Sequence, residues 1–273
     1  MGSKKIKKLL LEVFGLSLSL IILIPFYITI VNSLKTTAEA AVPDLSLPKE
    51  ILWSNYIEVF ERARVGLAFL NSSTITFISV ALIILLGAPV AFVIQRNKSK
   101  LSKAVLGLLL IGLMITPSIV PLVYVLETLQ LTGTKIGVIL IYIGLFSPIS
   151  VFLMHEYLKG LPTELDEAAL MDGCGPLRLF YQIIFPMMLP IIATVSIFSF
   201  IMVWNDFMMP IYFLSGSDNI TLPLTIYFFQ GQYSSQWNFI FANVVIVTLP
   251  VLLVYLFAQR YIIDGMASGA VKG

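Results

Sequence analysis

One cysteine and one histidine are all this chain has of the two side chains that most often hold soft metals. A lone Cys174 excludes an intramolecular disulfide and a cysteine metal cage, and a lone His155 excludes a multi-histidine site. Both read as structural rather than chemical. Charge is equally scarce: Asp, Glu, Lys and Arg make up 12% of 273 residues, where a soluble domain carries about 25%. So few charges cannot cover a water-facing surface. The net charge of +2 is too small to argue for a nucleic-acid partner. No G-x-x-x-x-G-K-[ST] loop is present to cradle ATP. The apolar runs also lack a paired acid and base of the kind a proton-coupled carrier needs.

What remains is hydrophobic. Apolar residues are 58% of the chain and the mean hydropathy is +0.96. Long apolar runs make it an all-α, multi-pass membrane protein, a single domain over 1–273. Six spans are predicted, at about 9–31, 71–94, 104–126, 136–154, 180–214 and 239–257. Lys4, Lys5, Lys7 and Lys8 precede the first. A signal peptide is the rival reading there, but its apolar core runs about 7–15 residues and this one is long enough to span. Gly87 and Pro89 mark a kink in the second span. The basic loop Arg96, Lys98, Lys100 and Lys103 belongs on the cytoplasmic side by the positive-inside rule, and both termini then lie in the cytoplasm. Between spans one and two, an amphipathic helix is predicted near Trp53–Phe60. The loop Ser215–Asn238 has no Lys or Arg but much Leu, Phe and Tyr, which suits a segment dipping back toward a cavity.

Two places carry functional signals. The first is the polar interruption 157–179, YLKGLPTELDEAALMDGCGPLRL. Pro162 suits a first helical position, and Glu164, Asp166 and Glu167 crowd the first turns, where the helix dipole favours carboxylates. Leu165, Ala168, Ala169 and Met171 recur at three-to-four-residue spacing, giving one apolar face of small side chains. Asp172-Gly173-Cys174-Gly175 stops the helix, because Gly tolerates the left-handed residue that closes it. Pro176 restarts a helix that runs straight into the apolar segment from about Phe180. The second place is Asp206, the sole carboxylate of the fifth run. It must face a cavity, a partner or the outer interface. The interface is the plainer reading, with Trp204 in an aromatic belt.

Glu167-Ala168-Ala169, Gly173 four residues on, then Ile183 and Pro186, resemble the EAA loop of binding-protein-dependent ABC importer permeases. Phe185 stands where that family has Leu, which keeps the bulk. Asn32-Ser33-Leu34-Lys35, Asn55-Tyr56, Trp204-Asn205-Asp206-Phe207, Gln259-Arg260-Tyr261 and the ending Gly269-Ala270-Val271-Lys272-Gly273 are similar to the carbohydrate branch, specifically the smaller permease of maltose-type importers. Asp206 replaces a frequent Glu.

The resemblance implies a six-helix type I importer fold and a cytoplasmic coupling helix. Glu167, Ala168, Ala169, Asp172 and Gly173 would then dock into an ATPase subunit, and Asn205 and Asp206 would line the translocation pathway. It further implies a second homologous permease, an ATPase dimer holding ATP and Mg²⁺, and an extracytoplasmic solute-binding protein that meets the Ser215–Asn238 loop. This chain would have no catalytic residue, metal or cofactor, and would sit among lipids in a bacterial or archaeal cytoplasmic membrane. The same EAA loop serves importers of amino acids, peptides and metals, which is the first alternative. A self-sufficient secondary carrier would need buried charges or an inverted repeat, and neither is visible. A membrane scaffold without transport does not account for the EAA spacing.

Overall fold

The computed structural model describes the backbone of residues 2–231 and 235–270, and the side chains of 7–231 and 235–257. Its regular structure is helical: α1 (Gly2–Ser33), α2 (Thr37–Ala40), α3 (Ser54–Arg62), α4 (Val65–Arg96), α5 (Lys100–Met114), α6 (Ile119–Thr128), α7 (Lys135–Leu158), α8 (Glu164–Met171), α9 (Pro176–Arg178), α10 (Phe185–Met187), α11 (Leu189–Trp204), α12 (Met208–Phe213) and α13 (Trp237–Ala270). Helix α3 is the amphipathic helix expected between the first two spans. Of the family-like ending, Gln259 to Ala270 continue α13 as backbone, and Val271-Lys272-Gly273 lie outside the described residues.

Four stretches are long and apolar enough to cross a membrane: Lys7–Ser33, Val65–Arg96, Lys135–Leu158 and Trp237–Phe257. The arms Pro176–Met187 and Leu189–Trp204 add a fifth when taken together, although they meet at 72°. The protein is therefore a multi-pass membrane protein, with four or five such spans among the described residues rather than six. The shortfall lies at 104–126. Helix α5 ends at Met114, Ile115 turns extended (φ −86°, ψ 117°), and α6 begins only at Ile119. Pro117 has no N–H for the helical ladder and drives its predecessor away from helical geometry. Two arms of 15 and 10 residues result, each too short to cross about 30 Å of hydrocarbon alone. By contrast, α4 runs on through Pro89 and α7 through Pro148 as single helices.

The run at 180–214 is not one rod either. Leu179–Ile184 form π-helical turns, and the chain breaks at Met188 and again after Trp204. Pro186 and Pro190 cannot donate to the ladder, and at the break the Met188 N–H is shared between the Ile184 and Phe185 carbonyls. The helix expected to restart at Pro176 does run on into the apolar segment from Phe180, as far as Met187, and the bend comes only beyond it.

The chain divides into two compact units, Met1–Gly66 with Thr225–Pro250, and Leu67–Leu224 with Val251–Gly273. In the larger unit, Ala88 and Ala91 of α4 pack with Val151, Met154 and Leu158 of α7. A Cβ on Gly87 would lie 2.9 Å from Met154 Cε. Small residues thus let α7 seat against α4, the usual way helices approach closely in lipid. A second cluster gathers Ile75, Val138, Tyr142, Val203 and Phe213. Trp204 is buried in the interior of this unit. It is 2% exposed, stacks on Phe200 at 5.4 Å and meets Phe69 edge-on at 5.7 Å. In this unit the Ser215–Leu224 segment is tied down by Asn71, whose Nδ2 donates to the Asp218 and Ile220 carbonyls, and by Ser72, whose Oγ accepts from Leu222 N–H. Irregular backbone is tolerated there because protein satisfies it.

The smaller unit is organised around Lys35, which is 2% exposed. Its Nζ donates to Asn32 Oδ1 (3.0 Å), Asp44 Oδ1 and Ser46 Oγ (3.3 Å). Asn55 Nδ2 donates to the Ser33 and Lys35 carbonyls, and Asn238 Nδ2 donates to Asn55 Oδ1. The hydrogen bond from Lys35, helped by that from Ser46, lowers the Asp44 carboxyl from 3.8 to about 2.

Candidate functional site

Helix α8 begins at Glu164, two residues later than Pro162 suggests, with Thr163 as its N-cap. Its acidic first turn holds Glu164, Asp166 and Glu167, complementary to the helix dipole. Its end is a Schellman closure. Asp172 is the C-cap, Gly173 is left-handed at φ +78°, Gly173 N–H donates to the Leu170 carbonyl, and Cys174 N–H donates to the Ala169 carbonyl. Nothing lies within 4 Å of where a Gly173 Cβ would be, so the constraint there is the backbone angle and not space.

The expected small apolar face divides in two. Ala169 is 5% exposed and packs into the cluster that holds Ala91, Leu158, Leu179 and Ile184. Glu167, Ala168 and Met171 point the other way, Met171 at 89% exposure, and Leu177 just beyond the turn is open as well. One alanine roots the helix and the other is presented.

A second root was not visible in the sequence. Arg96, at the end of α4, places Nε 2.6 Å from Asp166 Oδ2, both side chains being largely buried. That approach is an ion pair off the hydrogen-bond axis, while Nη2 donates to Asp166 Oδ1 (3.3 Å) and Nη1 to the Leu161 carbonyl (3.4 Å). Guanidinium is suited to holding a carboxylate and a carbonyl at once. Seventy residues separate Arg96 from Asp166, and no local pattern links them. Behind the turn, Pro176 is the first residue of α9, and the π-helical turns Leu179–Ile184 carry Leu179, Phe180 and Ile184 inward.

The second predicted place also has a definite geometry. Asn205 and Asp206 line an open cleft of about 690 Å³, bounded by Ile115, Pro117, Gly144 and Pro148. The break between α5 and α6 thus forms part of its wall. Asp206 is not a free carboxylate: Oδ2 accepts from Tyr142 Oη at 2.8 Å and from Met209 N–H, and Oδ1 accepts from Met208 N–H. It thus accepts the first two N–H groups of α12, which relieves the cost of a carboxylate in apolar surroundings. Asn205, the more exposed of the two, donates to the Ile201 carbonyl. Asp206 therefore sits on the wall of this open cleft. Among the described residues no cluster of His, Cys, Asp and Glu could hold a metal ion.

Residues 83–268 match the family of binding-protein-dependent transport system inner membrane components, and the chain belongs to that family. It is 36% identical over 269 residues to the probable starch degradation products transport system permease protein AmyC of Thermoanaerobacterium thermosulfurigenes, covering 98% of each chain. It is also 36% identical to the melibiose/raffinose/stachyose import permease protein MelC of Bacillus subtilis (strain 168), covering 92% of this chain and 91% of that one. Its fold superposes on a chain of a bacterial ABC transporter that imports the acidic polysaccharide alginate, with TM-score 0.81, 20% identity and coverage of 96% and 98%. The family supplies the membrane component of transport and is not itself catalytic.

Proposed function

We propose that this chain is the permease subunit of an ATP-driven importer for a sugar or oligosaccharide, and that it forms half of the translocation pathway. It is the counterpart of the smaller maltose-type permease, works as a single domain beside a second homologous permease, and has six spans. The broken pair α5–α6 supplies the third of these. Both termini and the 157–179 loop lie in the cytoplasm, and the Arg96–Asp166 pair supports this by holding α8 against the basic loop. An extracytoplasmic binding protein delivers the solute. A separate ATPase dimer, holding ATP and Mg²⁺, hydrolyses ATP.

The observation that carries the reading is the two-sided α8. A coupling element transmits a partner's motion only if it is fixed to the moving bundle and open to the partner at the same time. Ala169 and Asp166 do the fixing. Glu167, Ala168 and Met171 are open, Asp172 caps the helix, and Gly173 shapes the turn. Asn205 and Asp206 are the polar groups of the solute pathway, set in an otherwise apolar cleft. The sugar class rests on the relatives' substrates and on the branch-like segments.

The test is to purify the protein in mild detergent from its own membranes and identify what accompanies it. An ATPase and a second permease are expected, with ATP-dependent uptake of an oligosaccharide after reconstitution. Gly173→Asp should insert normally yet lose the ATPase. Recovery of the chain alone, moving solute in liposomes without ATP, would make it a secondary carrier instead.

A further inference from the structure

We infer that the cleft bounded by the end of α4, the start of α5 and the end of α7 binds an anionic phospholipid, an inference that rests on the cytoplasmic sidedness proposed above. The cleft has a volume of about 400 Å³, and Lys98, Lys103 and Lys159 line it together with buried His155 and Ser102. Lys159 is already paired, its Nζ 2.6 Å from Glu156 Oε1, and His155 Nδ1 faces the same oxygen at 3.1 Å. Among the described residues no carboxylate pairs with Lys98 or Lys103, which leaves two ammonium groups at the rim for an outside anion.

A second observation distinguishes a lipid from a free anion. An apolar groove of about 320 Å³, walled by Pro89, Val90 and Val93 of α4 and Leu101 and Val105 of α5, adjoins the basic cleft and shares Ile94, Asn97 and Ser102 with it. A polar pocket opening into an apolar groove matches the two halves of a phospholipid, with the phosphodiester at the lysines and an acyl chain along α4. Inorganic phosphate would use only the first half. Two unpartnered cations favour a headgroup of net negative charge over a zwitterionic one, as basic pockets between helices at the cytoplasmic face generally do.

The test is native mass spectrometry of the full chain, with whatever partners accompany it, given equal phosphatidylglycerol and phosphatidylethanolamine. Wild type is expected to retain phosphatidylglycerol preferentially. Lys98→Gln/Lys103→Gln should lower its occupancy roughly ten-fold or more, and Lys7→Gln/Lys8→Gln, which removes the same charge elsewhere, should not. Val93→Trp keeps both lysines, obstructs the groove and should also lose the lipid. Equal retention by wild type and the Lys98/Lys103 variant would overturn the site, as would equal loss in both lysine pairs. Displacement by inorganic phosphate with Val93→Trp unaffected would show an anion pocket and no lipid site. Lipid retention is read without ATP or solute, so failure of the transport reading leaves this result interpretable.

Discussion

Around Lys35 a buried ammonium finds three oxygen acceptors, and the asparagines beside it are bonded in turn to backbone carbonyls. On α8 the inward side is just as settled, with Ala169 in the core and Asp166 against Arg96, but the outward side leaves the Glu167, Ala168 and Met171 side chains exposed and without side-chain bonds among the described residues. The two regions are of similar size and both interrupt apolar sequence. The difference separates a polar stretch closed within the fold from one that keeps a face open, as the proposed docking role requires. In the first the buried ammonium and the amides of Asn32 and Asn55 are bonded internally; in the second only one face is.

The sharpest way to break this contrast is at Lys35. Lys35→Ala removes a buried side chain and orphans Asn32 Oδ1, so it should destabilise the protein by about 3 kcal/mol, read from denaturant unfolding in detergent. Next come the adjacent alanines. Ala169→Leu overpacks the core and should cost about 2 kcal/mol, whereas Ala168→Leu should leave stability within about 0.5 kcal/mol and yet weaken ATPase capture. Equal stability losses at the two positions would erase the division of α8 into two faces. At the turn, Gly173→Ala should cost about 1 kcal/mol from the left-handed backbone alone, and Gly173→Asn less.

The smallest effect concerns pH. Asp44 sits at about 2 when folded, below its ordinary 3.8. Its contribution is therefore complete above the ordinary value and fades as pH falls toward 2. Stability of wild type relative to Asp44→Asn, followed from pH 5 downward, should converge over that window. A gap that stays constant would mean the Lys35–Asp44 pair adds nothing.

Local patterns carried much of this to the reader of the sequence. Apolar run length gave the membrane class, Trp53–Phe60 gave α3, and Gly173 gave the left-handed stop where α8 ends. Matters of orientation and distance were not legible. Pro117 interrupts its run while Pro89 and Pro148 do not, and nothing within a few residues of each says which will. Which of two neighbouring alanines faces inward depends on packing against α4 and α7. The burial of Trp204 against Phe200 and Phe69 is not readable from the two polar residues that follow it. Arg96 and Asp166 each have a plausible local role, as a positive-inside charge and as a dipole partner, and those roles hide the pairing.

The 72° bend between Pro176–Met187 and Leu189–Trp204 has a mechanical meaning. Were the two arms collinear, a push on the lower one would drive the upper one along its own axis like a piston, against the resistance of the whole bilayer. At this angle only a minor part of the push acts along the upper arm, and the rest acts across it as a torque. In the coupling role proposed above, the joined arms would work as a bell crank with its pivot at Met188, turning a sideways pull on the lower arm into a swing of the helix that ends at the Asn205–Asp206 cleft.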